Sequence, residues 1–202
     1  MRLRTAGDCG VLVELDDLQA VHRLAAAVRA ADLPGVVDVV PGYLTVLVTT
    51  DEPAALTDVR DALPGLPLPD PEHVSSRVIE VPVVYDGDDL EEVARLTGLT
   101  RSDVVARHTA VPYLVAFLGF TPGFPYLVGL DPALHVPRRA TPRTAVPAGA
   151  VGLAGAQTGV YPTASPGGWQ LIGRTDAVLF DPERDPPALL APGDRLRFVD
   201  VT

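Results

Sequence analysis

Alternating apolar positions in the first third of the chain predict a small α+β domain over residues 1–77. The periods are those of strands and amphipathic helices, and turn residues separate them. The predicted elements are a strand at 10–15, a helix from Asp16 or Asp17 to about Ala31, a hairpin at 36–50 turning at Pro41-Gly42, and a helix at about 53–63. Together they predict helices packed on an antiparallel sheet.

A second region, residues 78–202, follows a proline-rich segment at 66–77 that is the best linker candidate. Nine prolines and nine glycines interrupt short apolar runs between residues 111 and 168. That pattern is typical of a β barrel or sandwich with long loops and not of a helical domain. The predicted elements are a strand at 78–86, helices at 88–98 and from near Ser102 to 110, and closing strands at 177–182 and 194–201.

The basic residues are all arginine, sixteen in number, and the chain has no lysine. A Walker A phosphate loop needs a lysine to reach the phosphates. A lysine Schiff base and a biotin carrier both need the lysine amine. The sequence therefore excludes these three functions for this chain.

Charge is unevenly distributed along the chain. The net charge of −10 argues against nucleic acid as the main partner. From 104 to 175, however, five arginines face Asp131 alone, so that the local charge is five minus one, or +4. This excess predicts an anion-facing surface, although a solvated arginine-rich face would have the same composition.

Apolar runs are too short for a membrane helix, which needs roughly 18 uninterrupted apolar residues. The opening segment MRLRTAGDCG also lacks the apolar block of a signal peptide. We therefore expect no membrane association and a cytoplasmic location.

Residues 159–175, GVYPTASPGGWQLIGRT, combine backbone-shaping residues with the only tryptophan of the chain. The mixture predicts a pocket whose walls are partly main chain, with Trp169 and Tyr161 beside it. Gly167 and Gly168 could expose amide groups to a carbonyl or phosphoryl oxygen. Alternatively, these glycines only permit a positive φ angle.

The segment PRRATPR, residues 137–143, holds three arginines between prolines. In an extended segment Arg139 and Arg143 are four residues apart and point to the same side. The planar guanidinium suits a carboxylate or a phosphate. A solvated edge strand that carries charge against aggregation is the other interpretation, and both remain open.

Among the four histidines, His108 is the candidate for chemistry. It ends a short predicted helix directly before the glycine-rich region, where an imidazole can act as a general acid or base near neutral pH. A histidine satisfied by the helix dipole is the alternative. We expect His22 to be solvated at a helix edge, His73 to be inert in the linker, and His135 to face either way.

Other catalytic motifs are missing. Ser165 lies in TASPG, which lacks the first glycine of G-x-S-x-G, so a hydrolase nucleophile elbow is not supported. No spacing of His, Asp or Glu resembles a zinc or di-iron site, so no metal is evident.

Four long patterns lie between residues 108 and 175: G-F-x-P-G-F, P-R-x-x-x-P-R, A-G-x-Q-T-G-x-Y-P and S-P-G-G-W-x-L-I-G-R-T. Through them the chain closely resembles the 5-oxoprolinase B-subunit family. Members of that family also carry the names allophanate hydrolase subunit 1 and KipI-type sensor-kinase inhibitor. A weaker match at the amino terminus is G-D-x-x-x-L-V-E, with Cys9 where small residues are usual.

The resemblance implies a mainly β, cyclophilin-like barrel domain from residue 78 onward, behind the small α+β domain. It also implies relatedness to one half of the carboxyltransferase domain of urea carboxylase, the part formed by subdomains C and D. The likeness to cyclophilin concerns the fold and does not imply prolyl isomerase activity.

In function, the resemblance implies one component of a heteromeric ATP-dependent 5-oxoprolinase. Its partners would be the C subunit, which resembles a biotin-dependent carboxyltransferase, and the A subunit. The complex would use ATP and water to open 5-oxo-L-proline to L-glutamate, with no biotin on this chain. The alternatives are a KipI-type inhibitor of a sensor histidine kinase and a carboxyltransferase or allophanate-hydrolase-related protein of urea breakdown.

The resemblance also suggests roles for the candidate residues. Gly167, Gly168 and Trp169 would form a pocket wall. Gln157 and Thr158 would supply neutral hydrogen bonds suited to a lactam. His108 would transfer a proton. The expected substrate-binding residues are Arg139, Arg143, Gln157, Thr158, Tyr161, Gly167, Gly168 and Trp169.

Overall fold

The computed structural model describes residues 1–70 and 77–202. The chain divides into two compact units, Met1–Ser76 and Arg77–Thr202. His73 and half of the proposed linker, residues 71–76, lie outside the described residues. Within the described ranges, no helix is long and apolar enough to cross a membrane.

The first unit is an antiparallel sheet in the order β1–β2–β4–β3 with two helices. The predicted helices and hairpin are confirmed, and Asp17 caps the first helix by accepting a hydrogen bond from the Ala20 N–H at 2.7 Å. The strand β1 was not predicted because RLRT has a single apolar side chain. The elements are β1 (Arg2–Thr5), β2 (Gly10–Glu14), α1 (Leu18–Ala31), β3 (Val36–Pro41), β4 (Thr45–Thr50), α2 (Pro53–Ala62) and a 3-10 turn (Leu63–Gly65).

The prediction for His22 was wrong. Its residue exposure is 7%, and it lies among the buried residues of α1 with Val21 and Leu24. The buried face of this helix is therefore wider than the periodicity of its apolar residues suggested.

The second unit is mainly β, as predicted, and is built on a seven-stranded sheet in the order β12–β9–β10–β7–β6–β13–β5. Val84 and Arg174 exchange two backbone hydrogen bonds of 2.9 Å, which join the two edges of this sheet into a nearly closed barrel. Strands β13 and β5 run parallel. The elements are β5 (Val78–Val83), α3 (Leu90–Thr97), α4 (Arg101–Thr109), β6 (Tyr113–Leu118), β7 (Pro125–Val128), a 3-10 turn (Pro132–Leu134), β8 (Arg143–Val146), β9 (Ala150–Ala154), β10 (Gln157–Val160), β11 (Ser165–Gly167), β12 (Gln170–Arg174) and β13 (Arg195–Asp200).

Two details differ from the sequence prediction. The segment 177–182 forms no strand, only an isolated bridge between Phe180 and Ala188, because Pro182 cannot continue a hydrogen-bonded ladder. Helix α4 begins one position earlier than expected, since Thr100 and Asp103 form a reciprocal capping box.

The two faces of the barrel sheet bury different clusters. The inner face holds a large aliphatic core that includes Val151, Leu153 and Val160. The outer face holds a smaller cluster that includes Phe124, Tyr161 and Trp169, beside the separate two-stranded sheet of β8 and β11. Because side chains alternate along a strand, β10 contributes to both faces, and this strand separates the two regions described next.

Candidate functional site

A small pocket of about 110 Å³ opens on the outer face of the barrel. It brings together four residues expected from the sequence, and joins them to five that were not. Aromatic rings form most of its walls, and one cationic side chain is present. The lining residues are Phe120, Phe124, Tyr126, Arg138, Tyr161, Pro166, Gly167, Gly168 and Trp169.

Phe120 is the most unusual residue of this pocket. Its backbone has a φ of 66°, in the left-handed region, and its residue exposure is 62%. A non-glycine residue in this region costs about 1–3 kcal/mol, and such residues cluster at functional sites. The exposed ring contacts Phe124 edge-on at 5.6 Å between centroids. The strained backbone therefore places the apolar Phe120 ring at the pocket, where solvent reaches it.

The two adjacent glycines have different roles. Neither has a positive φ, so the conformational explanation does not apply to them. A Cβ on Gly167 would lie 2.9 Å from ring atoms of Tyr161, whereas a Cβ on Gly168 would meet nothing nearer than Pro142 at 3.7 Å. Gly167 is thus required for close packing against Tyr161, and Gly168 leaves open space.

Trp169 lies on a platform of two further glycines. Gly152 of β9 and Gly159 of β10 are cross-strand partners. A Cβ on either would come within 3.1 Å of Trp169. The tryptophan can therefore lie directly on the sheet, where it also contacts Phe124 edge-on at 5.4 Å.

Arg138 supplies the positive charge of the pocket. It is exposed, and among the described residues no hydrogen bond or ion pair holds its guanidinium. Burial raises the pKa of Tyr161, and a hydrogen bond with the Trp169 backbone and the charge of Arg138 only partly offset that rise. Arg138 is therefore the cation at this pocket that can bind an anionic ligand.

Arg139 and Arg143, which we expected to bind substrate, both contact Asp89. Arg139 Nη1 donates to Asp89 Oδ1 at 2.5 Å, and Arg143 Nη2 donates to the same oxygen at 2.9 Å. Arg143 Nη1 also lies 2.8 Å from Asp89 Oδ2. Asp89 is buried, and its second oxygen accepts the backbone N–H of Leu171 at 2.7 Å.

Electrostatics keep this carboxylate ionised. Burial alone would raise the pKa of Asp89, but the hydrogen bonds from Arg143 and the Leu171 N–H, with the charges of both arginines, outweigh it. The pKa of Asp89 is therefore lowered. The substrate-binding role predicted for Arg139 and Arg143 remains untested, but the geometry gives both of them a protein partner.

His108 lies on the opposite, inner side of the sheet. It is completely buried, and its ring stacks on Phe198 at 4.5 Å. Tyr85 Oη lies 2.7 Å from its Nδ1, and Thr158 Oγ1 lies 2.9 Å from its Nε2. Burial lowers the pKa of His108 to about 3. Its predicted role in proton transfer stays a prediction, and the imidazole is not among the pocket-lining groups.

Gln157 and Thr158 are separated by the alternation of β10. Thr158 is buried toward His108 and also donates to the Gly152 carbonyl at 3.1 Å. Gln157 is half-buried and lies on the same face of β10 as Gly159, which faces Trp169. Neither side chain lines the pocket, so their predicted contacts with a lactam remain untested.

Unsatisfied polar atoms occur in the segments that supply the pocket lining, although none of them belongs to a lining residue. In the described part of the chain, five buried side-chain atoms lack a hydrogen-bond partner, and all lie within residues 119–124, 137–143 and 159–175. A buried group without a partner costs about 1–3 kcal/mol, so water or a ligand normally satisfies it. These atoms are Thr121 Oγ1, Arg139 Nε, Arg143 Nη1 (which keeps its ion pair), Ser165 Oγ and Gln170 Oε1.

Larger depressions lie elsewhere but have less suitable chemistry. One of about 580 Å³ in the first unit is lined by apolar and acidic residues such as Asp51, Glu52 and Asp58. Another of about 340 Å³ lies between α4 and Thr202. Among the described residues, no group of three or more His, Cys, Asp or Glu side chains is placed to hold a metal ion. In the part of the chain that the structure describes, the aromatic pocket combines an unpaired cation, a strained backbone at Phe120 and close backbone approach at Gly167.

Sequence signals for the missed residues existed in part. In P-R-x-x-x-P-R the first arginine is Arg138, whereas spacing alone had favoured Arg139. Phe120 and Phe124 are the two phenylalanines of G-F-x-P-G-F. Asp89 supplies the counter-charge for two arginines of the 104–175 excess, but nothing in an ordinary acidic helix start singled it out.

Comparison with known proteins shows which family this chain resembles. The family model described as carboxyltransferase domain, subdomain C and D, matches residues 1–190. The B subunit of 5-oxoprolinase from Escherichia coli O157:H7 is 48% identical over 96% of this chain and 93% of its own. That of Bacillus subtilis (strain 168) is 39% identical over 90% of this chain and 82% of its own.

The chain belongs to the 5-oxoprolinase B-subunit family. Among solved structures, that of TTHA0988 is 41% identical, with a TM-score of 0.86 over 100% of this chain. This chain spans 40% of that protein's length. This chain therefore has the same fold as one part of the longer TTHA0988 chain.

Proposed function

We propose that this chain acts as the B subunit of an ATP-dependent 5-oxoprolinase that opens 5-oxo-L-proline to L-glutamate together with the A and C subunits. The observation that carries the proposal is the aromatic pocket, in a chain of this family, with an arginine that has no partner among the described residues. The pocket would hold the lactam ring between aromatic walls, with its carboxylate against Arg138.

The size of the pocket supports a small substrate. Pockets for drug-sized ligands measure about 300–1,000 Å³, whereas this one measures about 110 Å³. A single flat ring suits that volume better than a nucleotide does. The chain also has no lysine for a phosphate loop, so in this proposal ATP is bound by a partner.

The chemistry of the lining favours binding over catalysis. Its side chains are aromatic rings, a proline and an arginine, and burial raises the pKa of the one phenol that is buried there, Tyr161. None of these groups is suited to exchange protons near neutral pH. The proposal therefore assigns substrate positioning and water exclusion to this chain, and expects it to be inactive alone.

The test is a coupled assay of 5-oxoproline-dependent ATP hydrolysis with the chain alone and with the A and C subunits. We expect activity only in the complete mixture. Robust hydrolysis by the isolated chain would contradict the shared-site proposal. Inhibition of a sensor histidine kinase without oxoprolinase activity would instead establish the regulatory alternative, and urea-dependent activity would establish the carboxyltransferase alternative.

A further inference from the structure

Three hydrogen bonds form one buried chain through His108. The Gly152 carbonyl can only accept, so Thr158 Oγ1, 3.1 Å away, donates its single hydrogen there. Thr158 must then accept from His108 Nε2 at 2.9 Å. Nε2 therefore carries the proton of a neutral imidazole, and Nδ1 accepts from the Tyr85 hydroxyl at 2.7 Å.

The reverse order of donors is unfavourable. If Thr158 donated to Nε2, its oxygen and the Gly152 carbonyl oxygen would face each other at 3.1 Å with no hydrogen between them. Two acceptors at that distance repel, and the low local dielectric of a buried site strengthens that repulsion. One tautomer thus satisfies every contact.

This chain of hydrogen bonds ends on the platform that supports the pocket wall. Thr158 lies next to Gly159, and the carbonyl that it binds belongs to Gly152, the cross-strand partner of Gly159. Trp169 packs on the outer side of these same two glycines. Any shift of β10 against β9 on the inner face therefore moves the surface under Trp169.

We propose that His108 is a positioning residue: as a neutral Nε2–H tautomer it fixes Thr158 and Gly152, and through them the position of the Trp169 wall. It exchanges no proton with substrate. Its neighbours agree with a permanently neutral ring. The groups that face it are the phenols of Tyr85 and Tyr113, the ring of Phe198 and the Thr158 hydroxyl, and no carboxylate contacts it in the described chain.

Nuclear magnetic resonance of the wild-type chain with ¹⁵N-labelled histidine tests the tautomer directly. Four histidines give few signals, and His108→Gln assigns the relevant pair. We expect one His108 nitrogen of pyrrole type at Nε2 and one of pyridine type at Nδ1, unchanged from pH 5 to pH 8. An Nδ1–H tautomer, or a titration midpoint within that range, overturns the proposal.

The single tryptophan makes positioning measurable by fluorescence. Thr158→Val removes the hydroxyl but keeps the branched shape. We expect greater acrylamide quenching of Trp169 than in wild type, at unchanged secondary structure by circular dichroism. His135→Gln, an exposed histidine of the same unit, is the matched control and should leave quenching unchanged. Equal quenching in Thr158→Val and wild type contradicts the coupling.

Kinetics of the assembled complex separate positioning from proton transfer, an arm that rests on the proposed function. Gln can still donate to Thr158 from its amide, but cannot act as an acid or base. Positioning therefore predicts that His108→Gln changes kcat by less than tenfold, with the main effect on KM. Loss of an acid–base group would instead lower kcat by about 10²-fold or more. Such a loss at unchanged Trp169 quenching overturns this proposal while leaving the proposed function intact.

Discussion

Arg138 and Arg139 are neighbours in sequence but have opposite environments. Arg139 joins Arg143 around the buried Asp89, where both guanidinium groups have a protein partner. Arg138 lies at the aromatic pocket, exposed and without a partner among the described residues. The comparison separates two kinds of polar group. Buried groups with an ion-pair partner should contribute to the stability of the fold, and exposed groups without a partner should contribute to ligand binding.

The largest expected effect comes from breaking the buried group. Asp89→Ala leaves two partly buried guanidinium groups and the Leu171 N–H without their carboxylate. Removing one partner of a buried ion pair costs about 3–5 kcal/mol. Since the Arg139 side chain is 36% exposed, we expect a loss at the lower end of that range, measured by urea unfolding.

Asp88 provides the matched control for this prediction. Its side chain is 81% exposed and lies 3.7 Å from Arg143. We expect Asp88→Ala to cost less than about 1 kcal/mol, as for other exposed pairs. Similar losses in the two variants would show that the Asp89 cluster is not the structural centre that its burial indicates.

These environments also show how far the sequence could be interpreted. Local patterns predicted most helices and strands, because burial periodicity and caps such as Asp17 are encoded within a few residues. They also singled out Gly167, Gly168 and Trp169, which line the aromatic pocket. The choice among three arginines could not be made locally, since it depends on Asp89, about fifty residues away in sequence.

The same limit applies to His108. Its position at a helix end before the glycine-rich region suggested a general acid or base, but the side chain turns into the barrel between Tyr85 and Thr158. That environment is created by strands distant in sequence. Sequence motifs therefore point to a region of the molecule, and tertiary packing decides which side chains of that region face the pocket.

The adjacent glycines sharpen the comparison within the pocket wall itself. A methyl group at Gly167 would overlap the Tyr161 ring, whereas one at Gly168 would make ordinary contacts. Overpacking costs about 1–3 kcal/mol, so Gly167→Ala should lower the free energy of unfolding by that amount. Gly168→Ala should change it by less than about 0.5 kcal/mol. Equal thermal or urea stability of the two variants would contradict the tight wall at Tyr161.

The pH dependence of stability tests whether His108 belongs with the buried groups. Its folded pKa, about 3, lies below the ordinary histidine value of about 6.5. Below pH 6.5 the unfolded chain therefore binds a proton that the folded chain does not, so stability falls as pH falls toward 3. Between pH 6.5 and 5.5 the loss should be roughly 1 kcal/mol.

Urea unfolding at these two pH values, in wild type and His108→Gln, measures that contribution. The difference in pH dependence between the two proteins isolates His108 from the other titrating groups. We expect the variant to lose the part of the decline that is due to His108. An identical decline in both proteins would show that the pKa of His108 in the folded protein is near its ordinary value. His108 would then not behave as a buried group.

The smallest expected effect on stability belongs to Arg138, and this separates the two classes most clearly. With no partner to lose among the described residues, Arg138→Gln should change the free energy of unfolding by less than about 0.5 kcal/mol. If the pocket binds the substrate carboxylate, the same change removes a charged hydrogen bond of about 1.5–3 kcal/mol, or roughly 10- to 150-fold in apparent KM. Arg138→Lys should not restore the KM fully, because an ammonium lacks the planar fork of the guanidinium.

The control for Arg138 is Arg101→Gln, since Arg101 is exposed in the same unit and pairs with Glu91 away from the pocket. Arg184 is less suitable, because it donates to backbone carbonyls such as that of Pro187. The opposite result would be an unchanged KM in Arg138→Gln and a raised KM in Arg143→Gln whose stability equals that of wild type. It would show that the anion-binding site lies at the Asp89 cluster instead.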